Sequence, residues 1–381
     1  IHVTLAYMVS DTIQTLVTVP YLALTPELAP DYDERTSLTS FRMFFNLVAS
    51  LVTAVAAPSV VDAALKMGFS LQQGYLTVAA MFGGLAIFPY LAIFFIVKER
   101  DVTQEIPTET YTFRQTISLL WKNSPFRYAT GIYVLNWIAF DVVALMLPYF
   151  LLYWVAKGDI LAKVTLLGQS ISLESVVLGL MLLTATLAIP LWNWLAHKFS
   201  KRVAYIYGMS FWILVQLLVF FVQPGQISLI LGLSVLAGLS VSTAHVMPEA
   251  LFPDVIDWDE LRTNRRHEGM YYGAINFIRK LSGAIAIFLA LQALGWVGYK
   301  TPPADATLFT QSASALLAIR FLTGPLIAIL LICAITVAWN YPLTRERQNR
   351  IPRMLLRRKQ RRGHPPAVAQ PPTGSIRAAG R

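Results

Sequence analysis

Nine stretches of this chain stay apolar for about 20 residues, the length a helix needs to cross the roughly 30 Å hydrocarbon layer of a bilayer. Their limits fall near residues 3–25, 41–64, 74–97, 126–155, 173–196, 203–222, 226–250, 269–297 and 312–341. Strands of a membrane barrel would alternate apolar and polar residues, whereas "GGLAIFPYLAIFFIV" and "LTGPLIAILLICAITVAW" are apolar on every face. With 56% of residues hydrophobic and only 14% charged, a soluble domain is excluded as well. The expected fold class is therefore all-α, a polytopic membrane protein with no strands.

The formal charge of +10 could point to nucleic acid, but its distribution points elsewhere. Of 31 Lys and Arg, only Lys66, Lys157, Lys163, Lys300 and Arg320 fall near one set of helix ends, and the rest lie in the opposite loops and the tail. That asymmetry follows the positive-inside rule, which puts the basic loops and the C-terminus in the cytoplasm of a cell (inner or plasma) membrane. The single cysteine, Cys333, lies within the last apolar run, so no internal disulfide forms and no metal-ligand spacing exists. No phosphate-binding loop and no nucleophile, base and orienter set is present, which excludes ATP-driven pumping and gives no catalytic residues.

Two acid and arginine clusters interrupt the apolar pattern. "PELAPDYDERTSLTSFR" begins at residue 26, and "PEALFPDVIDWDELRTNRR" begins 222 residues later, at 248. Six spans separate the helices that precede them, so the repeating unit is a six-helix half. Three spans precede the cluster-bearing helix in the second half and none do in the first. By symmetry the chain is expected to hold spans 4–12 of a twelve-span protein. Its expected organisation is a partial first bundle (1–98), a cytoplasmic linker (99–125), a six-helix bundle (126–342) and a basic, disordered tail (343–381). Within the linker, Phe113, Ile117, Leu120 and Trp121 recur at helical spacing and predict an amphipathic helix along the membrane surface. "RMLLRRKQRR" in the tail suits anionic lipid headgroups.

The motifs "PYLALTPELAPDYDERTSLTSFRMFF", "DVIDWDELRTNRRHEGMYYGAINFIRKLSGA" and "YPLTRERQNRI" resemble the glycoside-pentoside-hexuronide:cation symporter family of the major facilitator superfamily. The resemblance runs to about residue 350. It implies two six-helix bundles around a central site and uptake of sugars or sugar acids coupled to Na⁺, H⁺ or Li⁺, the main cation site lying in the three absent helices. It further implies a monomer whose partners are a small-molecule solute, a coupling cation and membrane lipids, with no other cofactor and no nucleic acid. A lysine at the position of Lys280 sits beside the cation and sugar sites in that family. The family's sugar-binding aspartate and tryptophan are replaced by Thr18 and Leu22. That departure keeps open a symporter of an amphiphile such as a lysophospholipid, and a third alternative is a non-transporting receptor on a transporter fold.

Charges at matching helix ends can pair across the two halves in one orientation and separate in the other. On this basis Glu27, Asp31, Asp33, Glu34, Arg35 and Arg42 are expected to form a cytoplasmic gate with Asp254, Asp257, Glu260, Arg262, Arg265 and Arg266.

Polar groups at membrane depth cost at least about 2.5 kcal/mol each for a charge and ask for a reason. Tyr272, Asn276 and Lys280 recur at spacings of four on one helix face, and Asp11, Thr15 and Thr18, with Gln14 at the edge, make a second stripe. Asp141, near Pro148 in "NWIAFDVVALMLPYF", is the remaining substrate-binding candidate. Arg279 is expected to extend its aliphatic stem to the cytoplasmic interface. His245 is expected to be a satisfied structural residue. The tryptophans (137, 154, 192, 194, 212, 258, 296 and 339) are expected mostly in the membrane-interface belts.

Overall fold

A computed structural model describes residues 2–28, 32–97, 112–159, 162–166, 169–263, 265, 267–303, 308–348, 350–351 and 354–355. All nine apolar runs are helical. The first part of the chain forms α1 (His2–Ala23), the one-turn α2 (Thr25–Leu28), α3 (Tyr32–Lys66) and α4 (Leu71–Ile96), whose start is fixed by a reciprocal Ser70 and Gln73 capping box. The amphipathic linker helix is α5 (Phe113–Lys122), and it is followed by α6 (Ser124–Tyr149), whose first turn is capped by Asn123. The remaining long elements are α7 (Leu173–Lys198), α8 (Lys201–Phe221), α9 (Ile227–Val246), α10 (Phe252–Thr263), α11 (Glu268–Trp296), α12 (Ala313–Thr323) and α13 (Pro325–Trp339).

Among the described residues, seven stretches are helical, long and apolar enough to cross a membrane, from Gln72–Ile96 through Ala313–Trp339. The other two apolar runs are α1, diluted by its polar stripe, and α3, several of whose side chains lie outside the described residues.

Several spans are interrupted, each for a local reason. Pro148 removes a backbone donor near the end of α6, and the next six residues, Phe150–Val155, continue as a π-helix with Ala156 N–H bonded to the Leu151 carbonyl. Gly324 and Pro325 divide the last span into α12 and α13. Between α9 and α10 the chain tightens into a 3-10 turn at Glu249–Leu251.

Against expectation the chain contains a small antiparallel hairpin, β1 (Lys163–Leu166) paired with β2 (Gln169–Ser172). It occupies the loop before α7, where two four-residue segments satisfy their backbone groups in each other rather than in a helix. The start of the tail also departs from the disordered expectation. Leu343 and Ile351 are buried, and Arg345 donates to the Lys198 carbonyl at 3.0 Å, so the segment packs under the ends of α7 and α8.

The core sits in the bundle formed by α6 to α13. Helices α7 and α9 cross so closely at Gly238 that a Cβ there would collide with the Met181 carbonyl and the Thr184 side chain. Two tryptophans expected at interfaces belong to this core instead: Trp212 is 1% exposed, and Trp192 donates its indole N–H to the Leu239 carbonyl at 2.6 Å. A carbonyl acceptor inside the bundle offers the indole what the interface usually supplies. The first part of the chain leans on this bundle through α1 against α11 and α3 against α7 and α9, while α2 meets α10. The two charged repeats are thereby neighbours in space.

Candidate functional site

Three clusters of charge stand out, two of them where the two parts of the chain meet and one inside the α6–α13 bundle. The first lies near the middle of α11. Lys280 is the thirteenth residue of α11, about 18 Å along the helix from its start at 1.5 Å per residue. Its ammonium donates to Asp11 Oδ1 at 2.6 Å, to Thr15 Oγ1 at 2.7 Å and to the Asp11 carbonyl at 3.2 Å. All three donor positions of the lysine are used by α1. Thr15 in turn donates to the Asp11 carbonyl at 2.8 Å, which fixes its lone pairs toward Lys280. Lysine and aspartate side chains are each 35% exposed, so the pair borders an open space rather than a sealed core. The stripes read separately on α1 and α11 therefore converge in Asp11, Thr15 and Lys280. Thr18 and Asn276 are half-buried, Tyr272 is buried, and Gln14 faces outward.

The second cluster is one residue away on α11 and on its other side. Arg279 does not reach the interface; it forms a two-pronged pair with Asp141 of α6, Nη1 to Oδ2 at 2.7 Å and Nη2 to Oδ1 at 2.8 Å. A carboxylate held inside the bundle outweighs the gain from extending the arginine to water. The guanidinium lies over the Trp137 ring, 4.3 Å from its centroid, which takes this tryptophan too out of the interface belt. Trp137 and Phe140 also meet the His245 ring edge to face, at 5.2 and 4.8 Å. His245 Nδ1 lies 2.9 Å from the Val241 carbonyl, a buried and locally satisfied position.

The third cluster is at the end of the bundle that carries the repeats. Arg42 Nη2 donates to Glu249 Oε2 at 2.8 Å, joining α3 to the turn before α10, and the Tyr133 hydroxyl donates to Glu249 Oε1 at 3.1 Å. Side-chain exposure is only 15% for Arg42 and 11% for Glu249. Asp254 receives Lys201 at 2.8 Å and Gln348 at 3.1 Å, and Lys201 also donates to the Ala250 carbonyl at 2.9 Å. Arg262 reaches the Lys122 carbonyl at 3.1 Å, tying α10 to the linker helix. Asp257 and Glu260 are buried, Arg265 is half-buried and Glu34 is exposed. Asp31, Arg266 and the side chains of Glu27, Asp33 and Arg35 lie outside the described residues.

Glu249, Lys201, Arg279, Trp137, Tyr133 and Gln348 belong to these clusters and were not among the site residues expected from the sequence. Glu249 carried a usable signal, because Pro248-Glu249 is the repeat of Pro26-Glu27. Lys201 lay in a row of basic loop residues and carried none.

Comparison with known proteins bears on the family and the fold. The sequence pattern of the family described as MFS/sugar transport protein matches residues 1–345. An uncharacterized symporter of Synechocystis sp. is 27% identical, the alignment covering 91% of this chain and 75% of that protein. The sodium-dependent lysophosphatidylcholine symporter 1-A of Danio rerio is 24% identical over 93% of this chain and 70% of its own length. Among solved structures, the fucose:proton symporter of E. coli superposes with a TM-score of 0.55 over 86% of this chain and 73% of the other, at 11% identity, which speaks to fold alone.

Proposed function

The chain belongs to the MFS/sugar transport protein family, a family of transporters rather than enzymes, and on that footing we propose that it works in cation-coupled symport of a polar solute by alternating access. The observation that carries the reading is the Lys280, Asp11 and Thr15 cluster, a charged contact near the middle of α11 between the two parts of the chain. Such a charge is expensive in a bilayer unless it lines a path for substrate or ion. A cation arriving near Asp11 competes with Lys280 for the carboxylate and frees the ammonium for solute oxygens, which links the two binding events.

The Arg42–Glu249 pair, with the charged residues around it, is the cytoplasmic gate of this cycle, closed while the site is open to the outside. The protein acts as a monomer in the cell membrane with its basic tail in the cytoplasm.

The solute is a sugar, glycoside or sugar acid. A second reading, uptake of a lysophospholipid-like amphiphile, is favoured by the Danio rerio relative and by Thr18 and Leu22 standing where a sugar-binding aspartate and tryptophan are expected. The test is uptake into proteoliposomes holding the protein, driven by an imposed Na⁺ or H⁺ gradient. Solute accumulation that an ionophore collapses supports symport. Saturable solute binding without any gradient-driven movement refutes it in favour of a receptor.

A further inference from the structure

We infer that Arg279, stacked on Trp137 and paired with Asp141, is a substrate subsite for an oxoanion group, a carboxylate or a phosphate ester carried by the solute. This deepens the proposed function and rests on it. The geometry around the pair carries the assignment.

A guanidinium presents two parallel N–H donors whose spacing matches two oxygens of one carboxylate or phosphate. In this structure Asp141 fills that fork, at 2.7 and 2.8 Å, and so occupies the position a solute oxoanion would take. Trp137 fixes the plane of the fork from one side, with the guanidinium carbon 4.3 Å above the ring. The pair is not sealed in: the arginine side chain is 22% exposed and the aspartate 15%.

Unspent hydrogen-bonding capacity lies on the same helix as Asp141. The Trp137 indole N–H and the Asn136 Oδ1 are buried without a partner, and Asn136 is 1% exposed. Such groups cost about 1–3 kcal/mol each when left unpaired, and a solute that moves Asp141 and opens the fork would offer the Trp137 indole N–H an acceptor.

The backbone is shaped for this arrangement. A Cβ at Gly283 would lie 2.7 Å from both Arg279 Nη1 and Asp141 Oδ2, so glycine leaves the ion pair its present seat against α11 and a larger residue would make the two side-chain ends shift. Lys280, one residue away, adds a second cation at the same depth. The solute anion displaces Asp141 from the fork, and a coupling cation near the released carboxylate keeps the local charge balanced.

The experiment uses two matched pairs of probes on the reconstituted protein: methyl β-glucuronide against methyl β-glucoside, and lysophosphatidic acid against monoacylglycerol. Binding is measured by equilibrium dialysis and uptake under a cation gradient. An anionic member is expected to bind at least about tenfold more tightly than its neutral partner, and the pair that shows this tells carboxylate from phosphate. Arg279→Gln and Arg279→Lys are expected to lower that anionic-to-neutral ratio by about tenfold. Asp141→Asn, by removing the competing carboxylate, is expected to raise it. A purely structural ion pair predicts instead that Asp141→Asn weakens both members together and leaves the ratio unchanged. Equal binding of both members, or ratios unchanged in all three variants, overturns the subsite. Gradient-driven uptake in that case leaves the symporter reading standing, whereas charge-selective binding without uptake supports the subsite and sinks the symporter.

Discussion

The Arg42–Glu249 pair offers the sharpest test of the gate. At 2.8 Å, with exposures of 15% and 11%, it is mostly desolvated, and Tyr133 holds the second carboxylate oxygen at 3.1 Å. Removing one partner from a pair of this kind costs about 2–5 kcal/mol, largely because the other charge is left unpaired. If the pair exists only while the cytoplasmic side is closed, that cost shifts the conformational equilibrium rather than overall stability. Taking about 2 kcal/mol, the open fraction rises roughly 30-fold. The readout is labelling of a single cysteine by a membrane-impermeant thiol reagent. Cys333 is exposed and is first replaced by serine. A reporter is then placed at Ser37, whose hydroxyl lies 3.3 Å from His197 across the two parts of the chain. Glu249→Gln and Arg42→Gln are each expected to raise the cytoplasmic labelling rate by about 30-fold. The exchanged pair Arg42→Glu with Glu249→Arg is expected to bring it most of the way back. Unchanged labelling in both single variants, or an exchanged pair that labels as fast as they do, would refute the gate.

Three further outcomes follow from the other clusters. Lys280→Ala leaves the Asp11 carboxylate without its cation and is expected to abolish gradient-driven uptake while membrane insertion stays intact; normal coupled uptake in this variant would refute the central assignment. Lys201 and Asp254 are 1% and 4% exposed, so Lys201→Met is expected to destabilise the protein by about 3–5 kcal/mol, read as a lowered Tm in detergent, with Lys201→Met plus Asp254→Leu recovering part of the loss. Gly283→Ala brings a methyl group against the Arg279–Asp141 side-chain ends and is expected to displace the pair, lowering thermal stability by at most about 1 kcal/mol because Ala also favours the helix. An alanine variant as stable as the wild type would show that the pair has room to move.

Periodicity and apolar length were enough to locate the helices, because in a bilayer every backbone group must be satisfied within the segment and few other solutions exist. The same rule is silent in loops, which is why the Lys163–Ser172 hairpin and the packed start of the tail were not expected. Within helices, spacing shows which residues share a face and not what the face meets. Asp11, Thr15 and Lys280 could be picked out on their own helices, yet only the packing of α1 on α11 joins them.

Arg279 shows where such reasoning stops. On α11 alone, an arginine next to a lysine is explained well enough by a stem that carries its charge toward water. What decides otherwise is a carboxylate 138 residues earlier, on a helix whose polar residues align only loosely. A tryptophan one turn before that carboxylate and a glycine one turn after the arginine complete the setting. Each of the three has an ordinary explanation by itself: an interface tryptophan, a small residue for helix packing, a polar group of uncertain depth. Their conjunction does not, because an unpaired arginine at this depth would be costly, and a pair with no function could be replaced by apolar side chains at little or no loss of stability. The comparison to make is therefore between the ion pair and an apolar substitute. Arg279→Met with Asp141→Leu is expected to insert and fold with stability near that of the wild type and to lose preference for the anionic probe. A double variant that keeps its preference would return Arg279 to a structural role.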